Sequence, residues 1–194
     1  IIEIYKQKKY KIVLCAPTGR AAKRMTETTG EEASTLHRLL EISGARDSEE
    51  DRFTFERNEE NPLEADVIII DEMSMVDVFL MNYIVKAVYY GTKIILVGDA
   101  NQLPSVGPGS ILKDLIASEQ FATVQLNKIF RQAAKSKIIV NAHRVNEGES
   151  FISGNVKETQ IDEENIELLD DFFYINEANQ EKIQQTIVSL CKGR

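Results

Sequence analysis

Short apolar runs alternate with longer amphipathic stretches along this chain. Val67, Ile68, Ile69 and Ile70 are β-branched residues in succession, and such a run is typical of a strand that is buried on both faces of a parallel sheet. Further apolar runs predict strands at 11–16, 92–99, 122–126 and 171–175, and a small strand at 52–57.

Helical apolar spacing and turn residues indicate helices between these strands. One helix opens after the turn at 17–19 and closes at Gly30, and a second follows a capping residue at Ser34 or Thr35. The other predicted helices cover 2–10, 77–90, 110–118, 135–146 and 179–192. Because strands and helices alternate, the predicted fold class is α/β, with a parallel β-sheet flanked by helices.

Two adjacent carboxylates, Asp71 and Glu72, directly follow the buried run. In open parallel sheets, ligands bind outside the carboxyl ends of the strands, so the pair lies where chemistry is expected. A hydrophobic strand that ends in Asp-Glu is the Walker B pattern of P-loop ATPases, in which the Asp holds Mg²⁺ and the Glu orients and deprotonates the attacking water. Strand-end acids also occur in many other α/β enzymes, and Glu72 could instead cap the following turn.

The predicted strand at 92–99 also ends in a carboxylate, Asp99, and the amides Asn101 and Gln102 follow it. Neutral amides at this position can contact a γ-phosphate or a water molecule without adding negative charge beside the Asp-Glu pair. The alternative is that Gln102 is an ordinary loop amide and that the Gly-Pro-Gly turn at 107–109 is a plain connector.

A basic helix face follows the first strand. The turn at 17–19 offers backbone N–H groups and a hydroxyl that can meet an anion. Arg20, Lys23 and Arg24 then share one face of a helical turn, and such a patch suits contact with the phosphate backbone of nucleic acid. The alternative is a solvated basic face.

Composition and charge limit the class of protein. The 194 residues are 43% hydrophobic, which suffices for a substantial core, and no apolar run is long enough for a membrane span. The formal net charge of −8 argues against a protein coated in basic surface, and we interpret the acid-rich stretches 47–66 and 147–181 as solvated faces. Two distant cysteines, Cys15 and Cys191, fit neither a metal pair nor a disulfide framework, which favours the reducing cytoplasm.

Read together, the motifs resemble one family. In chain order they are LCAPTGRAAKRM, ASTLHRLL, VIIIDEMSMVD, ILVGDANQLPSVGPGS and LNKIFRQ, the last followed by IIVNAHRVNEG. They look like motifs Ia, Ib, II, III and IV of the RecD-like superfamily 1 DNA helicases, a group that includes the exodeoxyribonuclease V alpha subunits and the TraA-type relaxase helicases. The resemblance covers 1–148 strongly and 171–192 more loosely, and five motifs in order are far more specific than any one of them.

This resemblance implies a RecA-like P-loop NTPase fold and an ATP-dependent helicase that moves 5′-to-3′ on single-stranded DNA in recombination or repair. The implied cofactors are ATP and Mg²⁺, and the implied partner is single-stranded DNA. The resemblance leaves two alternatives open, a helicase that acts alone and one that joins the subunits of a nuclease complex. Asp71 would bind Mg²⁺, and Glu72 would be the catalytic base. Gln102 would sense the γ-phosphate and relay its loss to the DNA side, and Arg131 would contact the γ-phosphate during transfer.

The resemblance also implies DNA contacts. They fall on Pro17, Thr18 and Arg20 after the first strand, and on Thr35 and His37 in the second motif. A lone His on a helix is more often an ordinary, partly buried residue than a ligand, and that reading stays open for His37.

One element of the family is missing from the sequence. A phosphate-binding loop needs a Gly-Lys-[Ser/Thr] step, and none of the ten glycines is followed by lysine. We therefore expect a chain truncated at its N-terminus, downstream of that loop and its strand, and expect these residues alone to be inactive. In RecA-like folds that strand lies inside the sheet, so its loss would favour dimerisation or strand exchange.

The predicted organisation is a first motor domain over 1–148, followed by 149–194, an acidic segment with a final strand and helix that complete the same domain. A competing hypothesis is a non-catalytic module, derived from a P-loop ATPase, that binds DNA or a partner without hydrolysis. A nucleotide kinase is a third reading, although nothing in the sequence resembles a lid for an acceptor substrate.

Overall fold

A four-stranded parallel sheet forms the centre of the first part of the chain in the computed structural model. The structure describes residues 1–46, 53–126, 134–154, 158–161 and 164–192. They fall into two units, Ile1–Val124 and Gln125–Arg194. That residues 149–194 complete the same domain as 1–148 stays a prediction.

The first unit alternates strands and helices. Its elements are α1 Ile2–Gln7, β1 Ile12–Ala16, α2 Gly19–Thr29, β2 Ala33–Thr35, α3 Leu36–Leu39, β3 Ile42–Arg46, β4 Phe53–Phe55, β5 Val67–Ile70, a 3-10 turn Met73–Met75, α4 Val78–Ala87, β6 Lys93–Leu96 and α5 Ile111–Ala117. The sheet has the order β2-β1-β5-β6, and its strand pairs are parallel. The predicted parallel sheet flanked by helices is confirmed.

The central strand β5 supplies side chains to both faces of the sheet. It pairs with β1 on one side and β6 on the other, and its residues are at most 5% exposed. Ile68 and Ile70 belong to one hydrophobic cluster, which also holds residues of α3, α4 and α5, whereas Val67 and Ile69 pack with Met25 of α2 in another. Successive side chains of a strand point to opposite faces, so an uninterrupted apolar run fits a strand that is covered on both.

Capping side chains fix where the main helices begin. The Thr18 hydroxyl oxygen accepts a hydrogen bond from the Ala21 N–H (3.2 Å) at the start of α2, and that helix ends at Gly30, which has φ +73°. Asp77 Oδ1 accepts from the Leu80 N–H (2.7 Å) at the start of α4. Both helices begin where the sequence predicts them, and α4 ends at Ala87, three residues before the predicted end at position 90.

Two details around the second motif differ from the prediction. The strand β2 was not predicted, because its residues Ala-Ser-Thr form no apolar run. The helix α3 has one turn only, since Glu41 adopts a left-handed conformation, with φ +56°, just beyond it. The chain then enters an antiparallel hairpin formed by β3 and β4, which contains the predicted small strand.

The second unit contains, among its described residues, α6 Lys137–Asn146, β7 Glu158–Ile161, β8 Glu164–Glu167 and α7 Gln180–Lys192. The strands β7 and β8 form an antiparallel hairpin. The helix α6 binds two neighbouring segments. The Lys137 ammonium group, with a side chain only 4% exposed, donates to the Asp170 carboxylate (3.0 Å), and Asn141 exchanges two hydrogen bonds with the backbone of Ile152.

Two predicted strands are wrong. Residues 122–126 and 171–175 form no strand, and Val124 and Phe173 within them are 87% and 73% exposed. A strand needs a hydrogen-bonded neighbour, and neither segment has a strand partner in the described part of the chain. The acidic segment 158–171 begins with the β7–β8 hairpin.

The helices are short. The longest that the structure describes is α7, with 13 residues, whereas a bilayer requires about 20 predominantly apolar residues. Within the described ranges, no helix combines the length and the apolar character that a membrane span needs.

The substitution Ile68→Ala is expected to lower the free energy of unfolding by ~2–5 kcal/mol, because it opens a cavity at a side chain that is 1% exposed. Ile4→Ala removes the same atoms from a side chain that is 58% exposed, and its effect should stay below ~0.5 kcal/mol. Urea unfolding followed by circular dichroism measures both. Equal losses in the two variants would contradict the central position of β5.

Candidate nucleotide and nucleic-acid site

The carboxyl ends of the four parallel strands carry most of the residues singled out in the sequence. Because the strands are parallel, the loops that follow them lie along one edge of the sheet, here called the carboxyl edge. In spatial order this edge carries Thr35 and His37 after β2, Pro17 and Thr18 after β1, Asp71 and Glu72 after β5, and Asp99, Asn101 and Gln102 after β6. The predicted nucleotide residues therefore lie at one end of the carboxyl edge and the predicted DNA residues at the other.

The Asp71–Glu72 turn has a strained backbone. Glu72 has φ +55° and ψ +42°, a left-handed conformation that costs a non-glycine residue ~1–2 kcal/mol. Its N–H donates to Asp71 Oδ1 at 2.9 Å, and the N–H of Met73 donates to the carbonyl oxygen of Val97, after β6, at 3.0 Å. These bonds hold both carboxylates, which are partly buried, directly beyond the end of β5.

The loop after β6 packs against the same turn. A Cβ atom at Gly98 would lie 2.9 Å from the backbone nitrogen of Met73 and 3.0 Å from a side chain of α5, so only glycine fits without a shift. Beyond it, Asp99 Oδ1 accepts from the Asn101 N–H (2.9 Å), and the Gln102 N–H donates to the Asp99 carbonyl oxygen (3.2 Å). Gln102, whose side chain is exposed, thus lies in the loop that follows β6, the strand that pairs with β5.

The basic face of α2 adjoins the turn after β1. Because the Thr18 oxygen accepts from the backbone at the start of α2, the hydroxyl hydrogen remains a donor. Arg20, Lys23 and Arg24 are exposed. Lys23 lies 3.7 Å from Glu27, whereas no ion pair within the described residues joins Arg20 or Arg24 to an acid. Arg20 and Arg24 therefore leave positive charge on the surface beside the carboxyl edge.

Thr35 is the last residue of the outer strand β2, and His37 follows it in α3. The Thr35 hydroxyl oxygen accepts from the Arg38 N–H at 3.2 Å and caps α3. The His37 ring lies 6.0 Å from the Phe55 ring, centroid to centroid, and Phe55 packs edge-on against Tyr83 at 4.7 Å. His37 is therefore also part of an aromatic group at the base of the β3–β4 hairpin, and its contact with DNA stays a prediction.

Arg131 lies outside the described residues, so its predicted role stays a prediction too. Sequence reasoning overlooked Ser74, two residues after Glu72, whose hydroxyl oxygen is buried without a hydrogen-bond partner in the described part of the structure. Most buried polar groups have a partner. Its position close to the acid pair is visible in the sequence, but its burial is not, because that depends on the packing of the 3-10 turn.

The donor set of the carboxyl edge fits a nucleotide-bound Mg²⁺ ion. Mg²⁺ usually keeps several waters and binds one or two carboxylates together with substrate phosphates. Asp71 Oδ1 accepts from Glu72, which leaves Oδ2 as a ligand, and the buried Ser74 hydroxyl is a further polar group in the same turn. In the described residues, no group of three or more His, Cys, Asp or Glu could enclose a metal ion by itself, and a phosphate-assisted site does not require one.

Two other features do not contribute to this site. A hollow of about 430 Å³, lined in part by Lys11, Glu64, Asp66 and Tyr89, lies at the amino ends of the strands, opposite the carboxyl edge. Cys15 on β1 is fully buried, and burial raises the pKa of its thiol to about 12. The thiol therefore stays protonated at neutral pH, and we exclude it as a nucleophile.

The first unit contains the region that matches a known protein family. The family model described as "AAA domain" matches residues 1–108, which is more than half of the chain. The chain belongs to the AAA domain family. All four strand ends of the carboxyl edge fall inside the matched region.

Two relatives link this AAA-domain chain to DNA helicases. It is 42% identical to the ATP-dependent RecD2 DNA helicase of Deinococcus radiodurans over 137 residues, which make up 71% of the chain and 18% of that protein. It is 35% identical to the RecBCD enzyme subunit RecD of Mycobacterium tuberculosis over 182 residues, with 83% of the chain and 30% of that protein covered. The resemblance to RecD-like helicases is confirmed, and the chain spans less than a third of either relative.

A solved structure supports the fold. A structure of two coordinating Pif1 helicases for unwinding at forked double-stranded DNA matches 77% of the AAA-domain chain and 41% of the Pif1 chain, with a TM-score of 0.50 and 23% identity. At that identity the likeness concerns the fold alone, and it agrees with the predicted RecA-like architecture.

In this AAA-domain chain, Gly98→Ala is expected to destabilise the fold by ~1–3 kcal/mol, because its Cβ would lie 2.9 Å from the Met73 nitrogen. Gly19→Ala is the matched control, since a Cβ there meets nothing within 4 Å and the position begins α2. Chemical denaturation gives both free energies of unfolding. A Gly98 variant as stable as the Gly19 variant would show that the loop after β6 does not pack tightly on the Asp71–Glu72 turn.

Proposed function

We propose that this AAA-domain chain is part of the motor of an ATP-dependent DNA helicase that couples ATP hydrolysis to 5′-to-3′ movement on single-stranded DNA. The observation that carries the proposal is the order of the carboxyl edge. Candidate nucleotide residues after β5 and β6 adjoin candidate DNA residues after β1 and β2. Similarity to an ATP-dependent RecD2 DNA helicase and to a RecBCD enzyme subunit supports it.

On the nucleotide side, each residue has a role that its chemistry allows. Asp71 would hold Mg²⁺ through its free carboxylate oxygen. Glu72 would orient and deprotonate the attacking water. Gln102 would report the state of the γ-phosphate as a neutral hydrogen-bonding amide, and Arg131 would contact the γ-phosphate. Bound Mg²⁺ supplies charge neutralisation between the phosphates, which the carboxylates alone cannot provide.

On the DNA side, the turn after β1 offers a hydroxyl donor at Thr18 and a guanidinium at Arg20, with Pro17 beside them. Thr35 and His37 would extend the contact to the strand end of β2. Phosphate contacts of this kind position the protein and carry no sequence information, which suits a motor that must move along any sequence. We propose single-stranded DNA as the partner because the resemblance to RecD-like helicases implies it.

The length of the chain sets the scope of the proposal. It spans less than a third of the RecD2 and RecD relatives, and no Gly-Lys-[Ser/Thr] step occurs in it. We therefore propose that residues 1–194 alone hydrolyse ATP poorly. We also propose that they dimerise through the open side of β6, because β6 pairs only with β5 among the described strands. A cytoplasmic location completes the proposal, and the function fits both a helicase that acts alone and a subunit of a nuclease complex.

The deciding experiment is ATP hydrolysis by the full-length protein that contains this chain, with and without single-stranded DNA. Glu72→Gln is expected to lower kcat by ~10²-fold or more, because the amide cannot accept a proton. Glu59→Gln makes the same chemical change at an exposed loop position and should leave kcat unaltered. No DNA-stimulated turnover, with DNA binding intact, would favour the non-catalytic binding module.

Arg20→Ala is expected to weaken binding of single-stranded DNA and to reduce the slope of log K against log salt by ~0.7, because one phosphate contact is lost. Lys86→Ala also removes one exposed positive charge, but from the last turn of α4 near the amino ends of the strands. It should leave the slope unchanged. Fluorescence anisotropy over a salt series measures both, and equal slopes in the two variants would place the DNA contact elsewhere.

A further inference from the structure

The loop after β6 contacts the segment after β5 at both of its ends. At the near end, the Met73 N–H donates to the Val97 carbonyl oxygen and Gly98 packs on Met73. At the far end, the N–H of Val78 donates to the Pro108 carbonyl oxygen at 3.0 Å. Gln102 lies in the stretch between these two contacts, and residues 101–104 of that stretch are exposed.

The far contact depends on a carboxylate that the proposed mechanism does not use. A Cβ atom at Gly107 would lie 2.0 Å from Asp77 Oδ2 and 2.8 Å from Asp77 Cγ. The other oxygen, Oδ1, accepts from the Leu80 N–H at 2.7 Å and caps α4. The Asp77 carboxylate therefore caps a helix with one oxygen and packs against the Gly107 backbone with the other.

The loop itself is braced at this point. The Ser105 hydroxyl donates to the carbonyl oxygen of Gly107 at 3.0 Å, with the carbonyl of Gly109 at 3.4 Å. Gly109 has φ +93°, and a Cβ there would lie 3.2 Å from the Val78 side chain. The Gly-Pro-Gly turn is thus not a plain connector. Its two glycines are the positions at which the loop approaches the first residues of α4 closely.

We infer that Asp77 is a positioning residue that holds the loop carrying Gln102 against the segment carrying Glu72. The inference rests on the proposed function for its catalytic consequence, since Gln102 and Glu72 are assigned to the nucleotide there. Asp77 lies five residues after Glu72, and the buried residues Met73 and Val76 between them fix the segment in the core. A loop attached to this segment at both ends keeps a fixed relation to the catalytic carboxylate.

A helix cap needs only one side-chain oxygen. Substitutions at position 77 can therefore distinguish the capping of α4 by Oδ1 from the contact of Oδ2 with Gly107. Asp77→Asn keeps both the cap and the group against Gly107. Asp77→Ser keeps a good cap but removes the atom in the position of Oδ2. Gly107→Ala leaves the cap residue in place and introduces a collision with it. A purely structural cap would therefore tolerate Ser, whereas a positioning contact would not.

The experiment uses the full-length protein and two readouts. Hydrogen exchange without nucleotide follows the amides of Val78 and Gln102, which report the Val78–Pro108 bond and the turn at Asp99. Steady-state ATP hydrolysis with saturating single-stranded DNA gives kcat and KM. Asp77→Ser and Gly107→Ala are expected to speed exchange of both amides and to lower kcat by ~10-fold, with KM for ATP within ~2-fold, because a misplaced loop affects the reacting geometry more than binding.

Asp77→Asn should keep the amide exchange rates and the kcat of the wild type. Asp77→Ser should keep the melting temperature of the wild type. The losses in Asp77→Ser and Gly107→Ala should not multiply in the double variant, because both act through one contact. Unchanged amide exchange in the Ser variant would overturn the inference. Faster exchange with unchanged kcat would overturn its catalytic part. A wild-type protein without DNA-stimulated turnover would instead overturn the proposed function, while the exchange result still decides whether Asp77 holds the loop.

Discussion

The two-sided burial and pairing of β5 is the constraint on which the rest of the first unit depends. Four consecutive β-branched residues lose nearly all of their exposed surface there, and backbone hydrogen bonds join the strand to β1 and β6. A strand that is buried on both faces needs helices on both faces of the sheet. Helices that connect one strand to the next provide this cover, and such crossover connections join parallel strands. Parallel strands in turn bring every strand end that carries a polar loop to the same edge.

That edge has an order that follows from the topology. The strand β1 lies between β2 and β5, so the turn at Pro17 and Thr18 is interposed between the second-motif residues and the carboxylate pair. A basic helix face and an acidic pair are therefore close neighbours along the carboxyl edge, and within the described residues no ion pair joins Arg20 or Arg24 to Asp71 or Glu72. Neighbouring loops of opposite charge are compatible with the proposed nucleotide and nucleic-acid sites.

Local signals in the sequence predicted most of the helices and strands, but they could not predict contacts between residues that are far apart in the chain. The apolar run at 67–70, the cap at Thr18 and the left-handed Gly30 are each legible in a few residues. The strand β2 was missed because it owes its existence to pairing with β1 rather than to apolar composition. The predicted strand at 171–175 failed for the converse reason: its composition suits a strand, but nothing in the described chain pairs with it. The contact of Asp77 with Gly107 joins residues thirty positions apart, and no period in the sequence marks such a pair.

The left-handed backbone of Glu72 gives these contacts their importance. A conformation that costs ~1–2 kcal/mol persists only where its surroundings over-determine it. Here the determinants lie mostly outside the residue. The N–H of Glu72 donates to the Asp71 side chain, and the N–H of Met73 donates to the Val97 carbonyl oxygen. The loop that begins at Gly98 packs against Met73. The backbone conformation of Glu72 is therefore set largely by β6 and its loop. A displacement of that loop would move the Glu72 carboxylate without a change in β5 itself, which gives a physical route from Gln102 to the proposed water-activating group.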